Sequence, residues 1–433
     1  MKHPFRYSGE LRNFFVLWST QSLSQLGSAM TAFALTLWLY ERTGSALQTA
    51  LLSVCSYAPY VLMSVFAGAL SDRWNKKKTM MACDAISALT SACALALLRA
   101  ELLAPAHMYL INALNGLTNT LQQPASDVAA TLVTPARWYQ RASALRSLSN
   151  ALVTLLNPVL AAAVYGLAGM EAVIFIDLGT FALAFLALGF GVRIPEAPGA
   201  KALRRDPFGE TLRSGLRYLR ANRMILALML FLACVNFVAS AFDAALPAMV
   251  LSRPGGGRAA LGAVSACAGV ATLLGSLICM ALPAPRDRIR VIHVAMLISL
   301  GTENFLLAFA RAPALWCVGQ LIGWLPVPLM NANLDVVLRR SIPVEMQGRV
   351  YACRNSLQFF TIPLGLALGG AAVDGVCEPW MARLSPQSLP ARLFGRGKGS
   401  GAALTLFLLG LLGTALCLIF GRILKKYRFR EEA

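Results

Sequence analysis

Residues 47–98 read LQTALLSVCSYAPYVLMSVFAGAL, then SDRWNKKK, then TMMACDAISALTSACALALL, and this stretch decides the fold class. The first run, Leu47 to Leu70, carries no charged side chain. The second, Thr79 to Leu98, carries only Asp84, and the eight residues between them hold Asp72, Arg73, Lys76, Lys77 and Lys78. A helix needs roughly 20 apolar residues to cross the hydrocarbon core of a bilayer. Barrel strands would be shorter and would alternate polar with apolar. The stretch therefore reads as two membrane-spanning helices joined by a basic turn.

The same pattern extends through the chain. Of its 433 residues 57% are hydrophobic and 14% charged, against about a quarter charged in soluble domains. Twelve apolar runs are predicted as spans: Phe14–Tyr40, Leu47–Leu70, Thr79–Leu98, Ala104–Gln123, Ala142–Leu167, Ala172–Val192, Met224–Leu251, Ala259–Leu282, Val291–Ala310, Ala314–Leu338, Val350–Val376 and Gly401–Leu424. The formal charge is +19, and about 30 of the 39 Lys and Arg residues fall at the termini and in the even-numbered loops. That asymmetry places both termini in the cytoplasm of a multi-pass protein of the plasma membrane. It also accounts for the basic excess through orientation and anionic lipid, so no nucleic-acid partner is expected. The N-terminus lacks a signal-peptide pattern, and the first span is its own insertion signal. Nearly all of the ten cysteines lie within spans, and no CxxC pair or His/Cys cluster is present. Neither a disulfide framework nor a metal site is indicated.

Between residues 193 and 223 the apolar pattern gives way to a Pro-, Gly- and Arg-rich linker. Its Phe208, Leu212, Leu216 and Leu219 share a helical face opposite Arg213, Arg217 and Arg220, as in a helix lying along the membrane surface. It separates a bundle over residues 1–192 from a second over 224–433. The two are related internally. A shift of 208 residues aligns Asn112 with Gln320, Gln123 with Asn331, Asp127 with Asp335, Pro135 with Pro343, Arg141 with Arg349, Ala144 with Ala352 and Arg146 with Arg354. These matches fall mostly on rare polar positions, which argues for a duplicated architecture.

Polar residues inside spans should face a cavity or a partner helix. Span one carries Gln21, Ser24, Gln25, Ser28 and Thr31 in steps of three and four, and span four carries Asn112, Asn115, Asn119 and Gln122. Span seven has Asn236, Ser240 and Asp243, and span ten has Gln320, Trp324, Asn331 and Asp335. Each residue alone would serve as interhelical glue. Their recurrence in the first and fourth spans of each half instead predicts a central, water-accessible substrate cavity suited to a bulky, partly apolar compound. Among the isolated acids, Asp243 and Asp84 are the candidates for carrying a proton. Asp177 and Glu303 are expected on peripheral helices. No constellation of nucleophile, base or metal ligands points to an enzyme.

The turn Gly68-Ala-Leu-Ser-Asp72-Arg73-Trp-Asn75-Lys76-Lys77-Lys78 resembles the signature loop of the major facilitator superfamily, in which a Gly, an acid four positions later and a basic cluster join spans two and three. Other stretches are similar to the drug and macrolide efflux group, which also contains siderophore exporters. They are Trp18-Ser-Thr-Gln21 through Gly27-Ser28, Thr43-Gly44-Ser45-Ala46, Pro343-Val-Glu-Met-Gln-Gly348-Arg349-Val350, Pro363-Leu-Gly365 and Gly369-Gly370. The resemblance implies an all-α integral membrane fold of twelve helices in two pseudo-symmetric six-helix bundles. It also implies alternating access and proton-coupled export by a monomer, with no cofactor beyond the proton gradient. An importer or facilitator has the same architecture, and a membrane-embedded sensor or enzyme is the non-transport alternative.

Gly68, Asp72, Arg73 and Lys76 with Asp127, Arg141 and Arg146 are then expected to gate the inner mouth, mirrored by Asp335, Arg349 and Arg354. Three departures stand out. Asn75 replaces the family's Gly, a position where Asn tolerates left-handed backbone. Asn157-Pro158-Val-Leu-Ala161-Ala162 replaces the glycine-rich pattern of antiporters, and the second-half loop, Ala281 to Arg288, is eroded.

Overall fold

The computed structural model describes residues 8–135, 138–195, 217–342 and 359–426. Among them every long element is a helix. The elements are α1 (Ser8–Thr43), α2 (Ala46–Arg73), α3 (Lys76–Arg99), α4 (Pro105–Leu132), α5 (Tyr139–Leu186), α6 (Arg223–Ser252), α7 (Arg258–Ala281), α8 (Arg288–Phe309), α9 (Pro313–Trp324) and α10 (Val327–Ser341). They are followed by α11 (Phe359–Arg383), short α12 (Leu389–Phe394) and α13 (Ser400–Leu424).

Nine described segments are long and apolar enough to cross a bilayer, against the twelve predicted spans. One segment, Leu145–Gly191, is 47 residues long, about twice a single crossing. It breaks at Gly169, whose φ of 79° is a left-handed conformation that glycine adopts without a Cβ penalty. α5 is thus two arms meeting at that turn. α1 and α4 are long but fall outside the nine, because the amide and hydroxyl stripes read in the sequence lower their hydropathy. Large apolar side chains such as Leu62, Leu167, Phe190 and Met280 are exposed on the helices, as a lipid-facing surface requires.

Helix ends follow local chemistry. Asn75 has φ −64° and ψ 117° and caps α3, its Oδ1 accepting the Lys78 N–H at 3.1 Å. The sequence suggested left-handed tolerance at this residue, but its use is capping in ordinary extended backbone. Asp287 caps α8 in the same way through the Arg290 N–H. α4 starts with Pro105 in its first turn, where a missing N–H costs nothing. Pro326 and Pro328 divide α9 from α10.

By compactness the chain forms two units, one of residues 1–38 with 55–204 and the other of residues 39–54 with 205–433. In the first, α3 packs on α4 and α5. Leu11, Phe14, Leu17, Met80, Ala125, Ala129 and Leu188 form a core there. In the second, α8 packs on α9, α10 and α13, and α6 packs on α13. Phe305, Phe309, Phe394 and Phe407 make a ring cluster that fastens α12 to α8 and α13. Arg253, just beyond α6, donates to the Ala310 carbonyl at 2.8 Å and to that of Phe394. Burial first, and then the neighbouring Arg311, lower its guanidinium to about 10. It stays charged at neutral pH.

Of the predicted surface helix, only its last residues lie among those described. Leu219 is buried, Arg217 and Arg220 are exposed, and the Tyr218 hydroxyl donates to the Ser341 carbonyl at 2.9 Å. Phe208, Leu212, Arg213 and Leu216 lie outside the described residues.

Candidate functional site: a polar cavity in the first unit

A cavity of about 510 Å³ opens among α1, α3, α4 and both arms of α5, within the usual range for small-molecule sites. α1 contributes Gln21, Gln25 and Ser28, and α4 contributes Asn112, Asn115, Asn119 and Gln122. These positions recur every three or four residues, so a straight helix turns them all to one side. Trp18, Leu35 and Phe181 supply apolar wall.

Two carboxylates also border the cavity, Asp84 on α3 and Asp177 on the second arm of α5, each 1% exposed. Gln122 Nε2 donates to Asp84 Oδ1 at 2.6 Å, and Gln21 Nε2 donates to Oδ2 at 3.2 Å. The Ser91 hydroxyl donates to Asp177 Oδ2 at 2.8 Å, and the Ser28 hydroxyl lies 3.2 Å from Oδ1. Thr90 donates to Asn115 Oδ1 at 2.8 Å, and Asn112 Nδ2 donates to the Met108 carbonyl at 2.9 Å. A buried carboxylate held this way keeps its acceptors satisfied.

Asp177 corrects the expectation of a peripheral position. A Cβ on Gly27 would lie 3.2 Å from both the Asp177 Cα and Oδ1, so the missing side chain of Gly27 lets α5 press its acid against α1. A charged residue in an otherwise apolar run was the available signal. What hid it was the assumption that span order fixes distance from the cavity.

The second-unit candidates are differently placed. Asp243 and Asn331 are exposed, Asn236 and Trp324 are half-buried, and Ser240 and Gln320 are buried. Ser240 donates to the Asn236 carbonyl at 2.7 Å rather than into open space. Glu303 also departs from a peripheral position. It is 5% exposed and lies against Gly323, where a Cβ would come within 2.1 Å of its Oε2.

Of the expected gating residues, Asp127 and Arg146 form an ion pair, and Gln123 Nε2 donates to Asp127 at 3.2 Å. Arg141 stands 4.6 Å over the Trp138 ring, and Lys76 Nζ donates to the Trp74 carbonyl at 3.2 Å. The neighbouring Lys77 caps the end of α5 through the Gly189 and Val192 carbonyls at 2.8 and 2.9 Å. Asp335 is exposed on α10. Gly68, Asp72 and Arg73 belong to the last turns of α2, where the side chains lie outside the description. Arg349 and Arg354 lie outside the described residues altogether.

Among the acids unread in the sequence, one caps the start of a helix. Asp374, in α11, accepts the Ala46 N–H at 3.0 Å, the Leu47 N–H at 2.8 Å and the Ser45 hydroxyl at 2.6 Å. It thereby stands at the positive end of α2. Ser45 Oγ accepts the Gln48 N–H at 3.0 Å, and Arg258 pairs with Glu41. The Tyr40 hydroxyl lies 2.7 Å from that of Ser252. Residues 39–54 are tied into the second unit by these bonds.

A bundle of apolar helices enclosing an amide-lined cavity is the arrangement of a membrane transporter for small solutes. The sequence profile of the Major Facilitator Superfamily matches residues 17–365, and the chain belongs to that family. It is a multi-pass membrane transporter, not an enzyme. Its relatives include macrolide efflux protein A of Streptococcus pyogenes, 24% identical over 376 residues, covering 86% of this chain and 92% of that protein. The multidrug efflux pump Tap of Mycolicibacterium fortuitum is 23% identical over 385 residues, covering 85% and 90%. Among solved structures, a bacterial homologue of the human lysosomal transporter Spinster superimposes with a TM-score of 0.71 at 14% identity, covering all of both chains. The nucleoside transporter NupG gives 0.68 at 13%, covering 96% of this chain and 99% of that one.

Proposed function

We propose that this transporter exports a small, partly lipophilic organic compound, macrolide-like or siderophore-like, by alternating access in exchange for protons. The observation that carries the reading is the first-unit cavity. Its amides and hydroxyls offer hydrogen bonds, Trp18 and Phe181 offer apolar contact, and two buried carboxylates stand among them. Efflux proteins among the relatives support the direction.

In this reading, halves of residues 1–192 and 224–433 rock about the substrate, with 193–223 as the cytoplasmic hinge segment and both termini in the cytoplasm. The monomer is the working unit in the plasma membrane. Asp243 and Asp84 carry the coupling proton, and each proton gains about 2.3 kcal/mol per 100 mV of membrane potential. The Asp127–Arg146 pair opens and closes with the inner gate, together with Asp72, Arg73, Lys76 and Arg141 and with Asp335, Arg349 and Arg354 opposite.

Expression in cells stripped of their own efflux pumps tests this. Intracellular erythromycin should fall and tolerance should rise, and both effects should vanish with Asp72→Asn at equal membrane abundance. Unchanged accumulation across a panel of macrolides and siderophores rejects the export reading, and raised accumulation replaces it with import.

A further inference from the structure

Asp84 touches two amides that can each be turned either way, and it dictates which way they face. A carboxylate only accepts hydrogen bonds, so Gln21 and Gln122 must both present their NH2 groups to it. Gln122 Nε2 reaches Asp84 Oδ1 at 2.6 Å and Gln21 Oε1 at 3.3 Å, which uses both of its N–H bonds. Gln21 Nε2 closes the ring at 3.2 Å to Asp84 Oδ2. The Gln122 carbonyl is the acceptor these bonds leave over, beside one spare N–H of Gln21, and Gln122 lines the cavity. One or two turns earlier on α4 the opposite holds. Asn115 spends its carbonyl on Thr90, so its NH2 group is left over.

We propose that Asp84 is a positioning residue that sets the cavity's hydrogen-bond polarity through Gln21 and Gln122, so that the Gln122 carbonyl selects a compound presenting a hydroxyl donor there. The carboxylate borders the cavity but is 1% exposed with both oxygens taken by amides, so the Gln122 carbonyl is the acceptor it leaves for the compound. When Asp84 takes up a proton it acquires an O–H that must be donated. The acceptors at hand are the carbonyls of the same two glutamines. One amide then turns over, and the cavity exchanges an acceptor for a donor. Proton occupancy and hydroxyl recognition become mutually exclusive.

The surroundings leave this exchange to the triad. α1 and α4 face Asp84 with the uncharged Gln21 and Gln122, and α3 itself adds Cys83. On α5, Asp177 is engaged by Ser28 and Ser91, and Arg146 by Asp127.

The inference rests on the cavity as the substrate site, but its test separates the two. Infrared difference spectra of the purified full chain in lipid nanodiscs, titrated in pH without ligand, should show a glutamine amide band moving with the same midpoint as a protonated-carboxyl band. Asp84→Asn, isosteric and permanently able to donate, should remove both changes. Gln122→Met should reduce the amide change to what Gln21 alone contributes and keep the carboxyl band. Erythromycin binding to the wild type should weaken at least about tenfold between the deprotonated and protonated ends of that titration. In Asp84→Asn it should vary less than about twofold. A carboxyl band that titrates with the amide band unmoved, or spectra unaltered by Asp84→Asn, overturns the proposal. If the wild type binds no erythromycin while the amide band still follows the carboxyl, the choice of compound fails and the positioning role stands.

Discussion

Asn112 and Gln320 stand 208 residues apart, at the offset that aligns the two halves in sequence, yet their amides are held differently. Asn112 lines the first-unit cavity and donates to the Met108 carbonyl. Gln320 is 1% exposed, with its Oε1 unpartnered among the described residues. The neighbouring acids diverge in the same sense. Asp84 and Asp177 have both carboxyl oxygens hydrogen-bonded, whereas Glu303 Oε1 and Asn304 Oδ1 in the second unit are buried without a partner among the described residues. The buried acids are thus fully hydrogen-bonded in the first unit and only partly so in the second, although Trp18 Nε1 and Asn157 Oδ1 are buried without a partner among the described residues in the first unit too. Each buried orphan costs about 1–3 kcal/mol. The same polar pattern in the sequence therefore accompanies hydrogen-bonded acids in one unit and a buried acid with an unpartnered oxygen in the other.

The comparison can be broken by removing members of each network and measuring thermal unfolding of the purified chain in detergent. Asp177→Ala should cost most, about 2–3 kcal/mol, because it strips the acceptor from Ser91 and opens a gap beside Gly27 and Ser28. An unchanged midpoint would mean that the first-unit network does not hold α5 to α1. Asp374→Ala should lose about 1–2 kcal/mol by leaving the N-terminal donors of α2 uncapped, with Asp374→Asn intermediate. Asn112→Leu should cost about 1 kcal/mol. Gln320→Leu should change stability by less than about 0.5 kcal/mol or raise it, since it removes an orphan along with its burial. Equal losses from these last two would erase the distinction between the copies.

Much of the first unit was legible before any coordinates. The three- and four-residue spacing of Gln21, Gln25 and Ser28, and of Asn112, Asn115 and Asn119, is helical periodicity, and the structure puts all six on one cavity. Apolar length and the all-helical class follow from composition in the same direct way. Three features were hidden for separate physical reasons. Asp177 depends on how closely α5 approaches α1 at Gly27, a tertiary distance that span order does not encode. Asp374 caps a helix 327 residues earlier in the chain, and no local pattern signals so remote a partner. Gln320 belongs to a stripe that reads as cavity-facing, and periodicity alone does not distinguish a helix face turned to water from one buried against other helices.

The central claim, an exporter driven by protons through this cavity, is most directly tested by erythromycin uptake into inside-out membrane vesicles with an imposed pH gradient, acid inside. The account predicts accumulation against the concentration gradient, abolished when the pH gradient is collapsed and absent with Asp243→Asn. Accumulation that persists after the gradient is collapsed, or that Asp243→Asn leaves intact, would contradict it.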